Sequence, residues 1–311
     1  MALLTPAGGG PAAPPRPRVL LAAREEQLDS VLARRRVAAH LTGLATTTRR
    51  SPGTPPDVAL VCDDAAVTGR LLDLGVPVVH LRSGHTPDDE PHDAGAYGIG
   101  RALHRVHRPG WLPGPSPAGP GARPTGLLGP ARTARDRTRT GALLLLSLWG
   151  VPPDEAQRFA AGPLRALVRT AVERTGRCDV VCDTGLAGAR SAATGPHPPR
   201  QVRWHRAADT DADALHAGCA VLLASPTLAA LGLAQARRAP LAFLPPLGAA
   251  QADLADRVAR LLPVPVAGGP DDAVWDPPDG GPWRSLDPDA DDLRGAQRVA
   301  RGVRQLCLAP P

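Results

Sequence analysis

Apolar residues along the chain fall into short unbroken runs separated by stretches of helical spacing. The first run is Arg18-Val-Leu-Leu-Ala-Ala23. Behind it, Leu28, Val31, Leu32, Val37 and Leu41 recur broadly every 3.6 residues, which predicts a helix. Asp57-Val-Ala-Leu-Val-Cys62 follows, with prolines before it and Asp63-Asp64 after it. Ala65 to Leu74 reads as a helix closed by Gly75, and Val76-Pro-Val-Val-His-Leu81 as a strand leading into Arg82-Ser83-Gly84-His85. Strands without polar alternation, interleaved with helices, belong to parallel sheets covered on both faces.

From Arg108 to Thr140 the pattern gives way to Pro, Gly and Arg, with Trp111 and Pro124-Thr-Gly-Leu-Leu128 as the ordered pieces. A second series then begins. Its strands are Gly141–Ser147, Cys178–Cys182, Gln201–Trp204, Ala220–Ala224 and Leu241–Leu244. Leu164, Leu167, Val168, Ala171 and Val172 mark a helix for which Pro163 fits the first position. Further helices are centred on 211–217, 227–236 and 251–261. Leu293, Ala296, Val299, Ala300, Val303 and Leu306 form an amphipathic helix at the end of the chain. The predicted class is α/β, with two Rossmann-like domains facing a cleft. The boundaries expected are a disordered tail over 1–17, an N-terminal domain over 18–107, a linker over 108–140, a C-terminal domain over 141–290 and a terminal helix over 291–311.

Composition removes several chemistries. All 36 basic residues of the 311 are arginine, and asparagine is absent too. Without lysine there is no Schiff-base, Walker or kinase lysine. Aromatics at 3% leave little on which to stack bases, and arginine standing in for lysine weakens any step from the net charge of +6 to nucleic acid. The longest apolar run, Ala142 onward to Val151, is shorter than a membrane span. Residues 1–17 lack the pattern of a signal peptide, so a cytoplasmic protein is expected. The five cysteines read as reduced core residues.

The segment from Cys219 to Leu254, and more widely Arg203 to Arg257, resembles the donor-site signature of two-Rossmann (GT-B) glycosyltransferases. In these a strand, a small-residue loop, a helix, a proline turn, a strand and a Gln-bearing loop follow in order. Pro240 and Pro245 fall where that signature has its two prolines, and Gln251 lies near its loop glutamine. The resemblance is to the branch of the lipid II GlcNAc transferase and antibiotic glycosyltransferases, and more narrowly to actinobacterial proteins related to cytosylglucuronate (CGA) synthase. It implies a nucleotide-sugar donor, UDP-linked, on the C-terminal domain and a small acceptor, a nucleobase among the options, on the N-terminal domain. It implies no cofactor.

Two departures stand out. The signature's ribose-binding acid is replaced by Leu233 and a threonine by Ala230. The first strand runs into Ala22-Ala23-Arg24-Glu25 without the Gly-rich loop and histidine. The alternative is therefore a catalytically degenerate binding or partner protein.

Candidate residues follow from strand ends and helix starts. His85, Asp63 and Asp64 are the candidate bases, His85 first because its imidazole titrates near neutrality; Asp63-Asp64 also fits a helix N-cap. Ser225 and Thr227 stand where a helix N-terminus is placed to hold a diphosphate without lysine. Gln251 is the candidate for sugar hydroxyls, His205 and Arg206 for the donor's base, and Gly150 lies at a second helix start facing the cleft. His104 and His107, with Arg105 and Arg108, read as a solvated helix end. His85, Asp88, Asp89, Glu90, His92 and Asp93 have no metal-site spacing and read as an acidic loop, so no metal is expected.

Overall fold

The protein is described from a computed structural model, which covers residues 16–48, 55–83, 102–114, 122–195, 199–269, 272–276, 280–287 and 293–308. Eleven strands among these residues form two sheets, parallel throughout. The first contains β1 (Arg18–Ala23), β2 (Ala45–Thr47), β3 (Val58–Cys62), β4 (Val78–Ser83), β5 (Ala102–His107) and β6 (Arg123–Pro124), in the order β2-β1-β3-β4-β5-β6. The second contains β7 (Ala142–Leu146), β8 (Cys178–Cys182), β9 (Val202–Arg206), β10 (Val221–Ala224) and β11 (Ala242–Phe243), in the order β11-β10-β7-β8-β9. The fold class is the expected one: two Rossmann-like α/β units.

Helices α1 (Leu28–Ala38), α2 (Ala65–Asp73), α3 (Pro153–Phe159), α4 (Arg165–Thr175), α5 (Leu186–Thr194), α6 (Ala212–Gly218), α7 (Leu228–Ala236), α8 (Gly248–Ala259) and α9 (Gly295–Leu308) cover the sheet faces. The terminal helix α9 puts Ala296, Val299, Ala300 and Val303 on the first sheet, against Val19, Leu60 and Val79. Helix α1 serves both units. Its Ala33 and Val37 pack on the first sheet, while Leu28, Val31 and Leu32 enter the core of the second with Leu143, Leu145, Leu228 and Leu233. By the usual area rule, each such buried side chain contributes about 2 kcal/mol. The floor between the two units is thus packed core.

A buried arginine fixes this junction. Arg36 of α1 is 2% exposed. It forks onto Asp213 of α6 at 2.8 and 3.1 Å, and donates to the carbonyls of Leu128 at 2.8 Å and Ala229 at 3.2 Å. Gly232 in α7 permits the approach, since a Cβ there would sit 2.8 Å from the Leu128 carbonyl oxygen.

Three local expectations need correction. Pro163 does not begin a helix. The helix starts at Pro153, and Pro163 lies inside the π-turn Ala160–Leu164, where a residue without an N–H is tolerated because the ladder is already interrupted. The His104/His107 segment is strand β5, paired with β4, and His107 is buried. Helix α5 and strand β2 lacked a periodic apolar signal and were not expected. Residues Leu112, Leu127 and Leu128 of the linker segment are buried in the core.

Candidate functional site

In open α/β sheets the carboxyl ends of the strands, at the point where strand order reverses, form the ligand crevice. In the second sheet that point lies between β7 and β10. The Ser147 N–H donates to Ser225 Oγ at 3.0 Å, and Gln251 Nε2 donates to the Ser147 carbonyl at 2.9 Å while its Oε1 accepts from Leu247 N at 3.1 Å. Ser225 and Gln251 are therefore brought together, both buried and both engaged with the Ser147 loop. Thr227 is the N-cap of α7, its Oγ1 accepting from Ala230 N at 3.2 Å.

The first two N–H groups of α7 are occupied as well. Asp29, from the first turn of α1, accepts from Leu228 N at 3.3 Å and Ala229 N at 2.7 Å. The exchange is reciprocal. Asp183, just past β8, accepts from Leu28 N at the start of α1 at 3.2 Å, and also from Ser147 Oγ (2.6 Å), Leu148 N (2.9 Å) and Thr184 N (2.7 Å). Burial pushes the Asp183 carboxyl up to about 6 against these donors. Each unit thus caps a helix of the other with a carboxylate, a contact worth about 1 kcal/mol apiece. The positive end of α7 already holds an anion, and that anion belongs to the chain.

At the corresponding point of the first sheet, between β1 and β3, the Arg24 N–H donates to the Cys62 carbonyl at 3.3 Å and to Ser30 Oγ at 3.0 Å. Asp63, next along, has a left-handed backbone with φ of +53°. Among non-glycine residues that geometry costs energy and is retained where the surroundings fix it. Its carboxylate accepts from Ser83 N at 2.6 Å and Ser83 Oγ at 3.3 Å. Burial raises it from 3.8 to about 6; Asp29 adds to the rise, and the Ser83 bonds and Arg24 oppose it. Asp64 points elsewhere, capping α2 through Val67 N at 2.9 Å.

Around the rim, Arg24 lies 5.1 Å over the ring of Trp149, which is 39% exposed, and Gly150 has a φ of +73° with open space where a Cβ would be. Arg206 pairs across the units with Glu25 at 2.9 Å, and His205 Nε2 sits 2.9 Å from Asp179. Ala230 and Leu233 are fully buried, so the position of the signature's acid is core. His85 and the acidic loop after it lie outside the described residues. Among the described residues no three His, Cys, Asp or Glu side chains are grouped to hold a metal, and no helix is long and apolar enough to cross a membrane.

Sequence reasoning missed Asp29, Asp183, Ser83, Arg36 and His107. Asp183 stands directly after a strand, as Asp63 does, so the strand-end rule that selected Asp63 also selects it. Asp29 carries no local signal beyond an acid in a first helical turn.

Residues 19–311 match the family described as CGA synthase-related protein. No curated protein matches the chain. Among solved structures, the glycosyltransferase SnogD from Streptomyces nogalater is 16% identical, covering 94% of this chain and 96% of that one with a TM-score of 0.42. The spinosyn rhamnosyltransferase SpnG is also 16% identical, covering 94% and 97%, with a TM-score of 0.47. An S. aureus MnaA–UDP structure is 10% identical, covering 94% and 98%, with a TM-score of 0.49.

Proposed function

Because the chain belongs to the CGA synthase-related proteins, we propose that it is a glycosyltransferase moving a sugar from a UDP-linked donor to a small acceptor, with a nucleobase as the first acceptor class to test. The donor lies against the C-terminal unit (141–290) and the acceptor against the N-terminal one (18–107). The observation that carries this reading is Asp63. It is a partly buried carboxylate at the strand-order reversal of the first sheet, held at a strained φ and raised to about 6. Strain and a raised carboxyl at a cleft are the marks of a working group.

Asp63 takes the acceptor's proton. The acceptor atom bonds to the sugar C1, and the C1–O bond breaks with its electron pair leaving on the diphosphate. The start of α7 supports the donor half of the reading, since its first N–H groups bind the Asp29 carboxylate and would take a phosphate in its place once Asp29 gives way. Ser225, Thr227, Gln251, His205, Arg206 and Gly150 are the donor-side residues of this reading. His85 remains a second candidate base. The reading includes action in the cytoplasm.

The test is UDP release from UDP-sugars in the presence of cytosine and other small acceptors. Turnover that falls at least 100-fold in Asp63→Asn supports the assignment; turnover unaffected by that change removes Asp63 from it.

A second reading has its own observation. Asp29 on the α7 start and Leu233 in the core favour a relative that is permanently closed and acts as a binding partner. It predicts no UDP release with any donor.

A further inference from the structure

Three polar side chains stand side by side at the carboxyl edge of the first sheet. Asp63 follows β3, Ser83 ends β4 and His107 ends β5, and Ser83 and His107 are register partners in the ladder. Ser83 and His107 are each 2% exposed. A sheet edge that needed only packing would place apolar side chains there, as β3 does along its length, because burying a hydroxyl and an imidazole costs energy unless they bond. They do bond, in a line. Ser83 Oγ donates to Asp63 Oδ2 at 3.3 Å and lies 3.5 Å from His107 Nε2, while the Ser83 N–H fixes Oδ1 at 2.6 Å.

We propose that Ser83 and His107 are positioning residues for Asp63, the imidazole acting through the serine hydroxyl to hold the carboxylate in one orientation toward the cleft. The proposal rests on the reading of Asp63 as the acceptor's base. With its proton on Nε2, His107 donates to Ser83 Oγ, which commits the hydroxyl hydrogen to Asp63. The carboxylate then keeps one fixed donor on each oxygen. A base held this way spends less on reorganisation when a proton arrives. The other charged or titratable groups that face Asp63 are Arg24 and Asp29 from the α1 side, Arg82 from β4 and the Cys62 thiol from its own strand.

The experiment is a carboxyl-carbon NMR titration of the full chain labelled at aspartate, with the Asp63 signal assigned from Asp63→Asn. The wild-type midpoint is expected at about 6. Ser83→Ala and His107→Phe each remove a donor from the line, so the midpoint moves up by about half a unit. His107→Gln keeps a side-chain N–H and stays near wild type. Unchanged midpoints in Ser83→Ala and His107→Phe proteins that melt normally would overturn the proposal. If those variants do not fold, the wild type still decides. The His107 ring nitrogen shifts must step at the Asp63 midpoint, and a flat trace through that pH overturns the coupling. These readouts need no substrate. Failure of the transferase assay with the titration intact rejects the proposed activity alone, and the two failures remain distinguishable.

Discussion

The Asp29 carboxylate accepts the Ala229 N–H at 2.7 Å, although the two residues are 200 positions apart and belong to different halves of the chain. A helix start is thereby satisfied from the other half of the chain, and the two halves are tied there. Asp29→Ala removes that acceptor and is expected to cost about 1–2 kcal/mol. Millimolar inorganic pyrophosphate should return part of the loss in the variant and do little in the wild type, read as the change in Tm.

Arg36 and Asp213 give a larger effect. The pair is shielded from water, and Arg36 also satisfies two carbonyls. Arg36→Ala leaves Asp213 and both carbonyls without that donor and is expected to cost about 3–5 kcal/mol in chemical denaturation. Glu25→Ala, which breaks the exposed cross-unit pair with Arg206, should cost under about 1 kcal/mol. Similar losses from the two changes would contradict the view that the buried arginine, not the rim, joins the halves.

The contrast between these pairs also separates what the sequence reveals from what it hides. Strands such as Val58–Cys62 and Ala142–Leu146 are buried along their whole length, so an apolar run is enough to find them. Strand β5 is half polar, with His104, Arg105 and His107 among its six residues, and a pattern based on hydrophobicity turns it into a basic surface. Helix α5 has a single leucine, its other residues being alanine, glycine, arginine, serine and threonine, which leaves no strong apolar stripe to read. Asp63 was legible because a strand end is a local feature. Asp29 and Arg36 act on partners roughly 90 to 200 residues away, and nothing within a window of the sequence encodes such a distance.

Asp63 links stability to pH with a definite sign. Its folded carboxyl titrates at about 6 and its ordinary value is 3.8. The folded state therefore binds the proton more tightly. That contribution to stability is full below about 3.8 and is lost as pH rises through about 6. Asp63→Asn removes the penalty of an ionised carboxylate at pH 7.5 and has nothing to remove at pH 4. Its Tm should exceed the wild-type value at pH 7.5 and converge with it at pH 4. A gain in stability joined to a loss of turnover is the pattern of a residue kept for function. Equal Tm differences at both pH values would show that the carboxylate carries no such cost.

Leu233 tests whether the missing ribose-binding acid is a simple vacancy. The side chain is fully buried among Leu28, Leu228 and Leu143. Leu233→Glu places a charge in that packing without a partner, and a loss of about 3 kcal/mol or more is expected, with no gain in nucleotide affinity. A stable variant that binds UDP more tightly would show that the position still opens to the cleft.

The central claim is that the α7 start holds the donor's diphosphate once Asp29 gives way. Isothermal titration of UDP into the wild type and Asp29→Ala measures this most directly. The account predicts binding by both proteins, tighter in the variant by about tenfold because the competing carboxylate is gone, a difference of about 1.4 kcal/mol. The absence of UDP binding by either folded protein would contradict it.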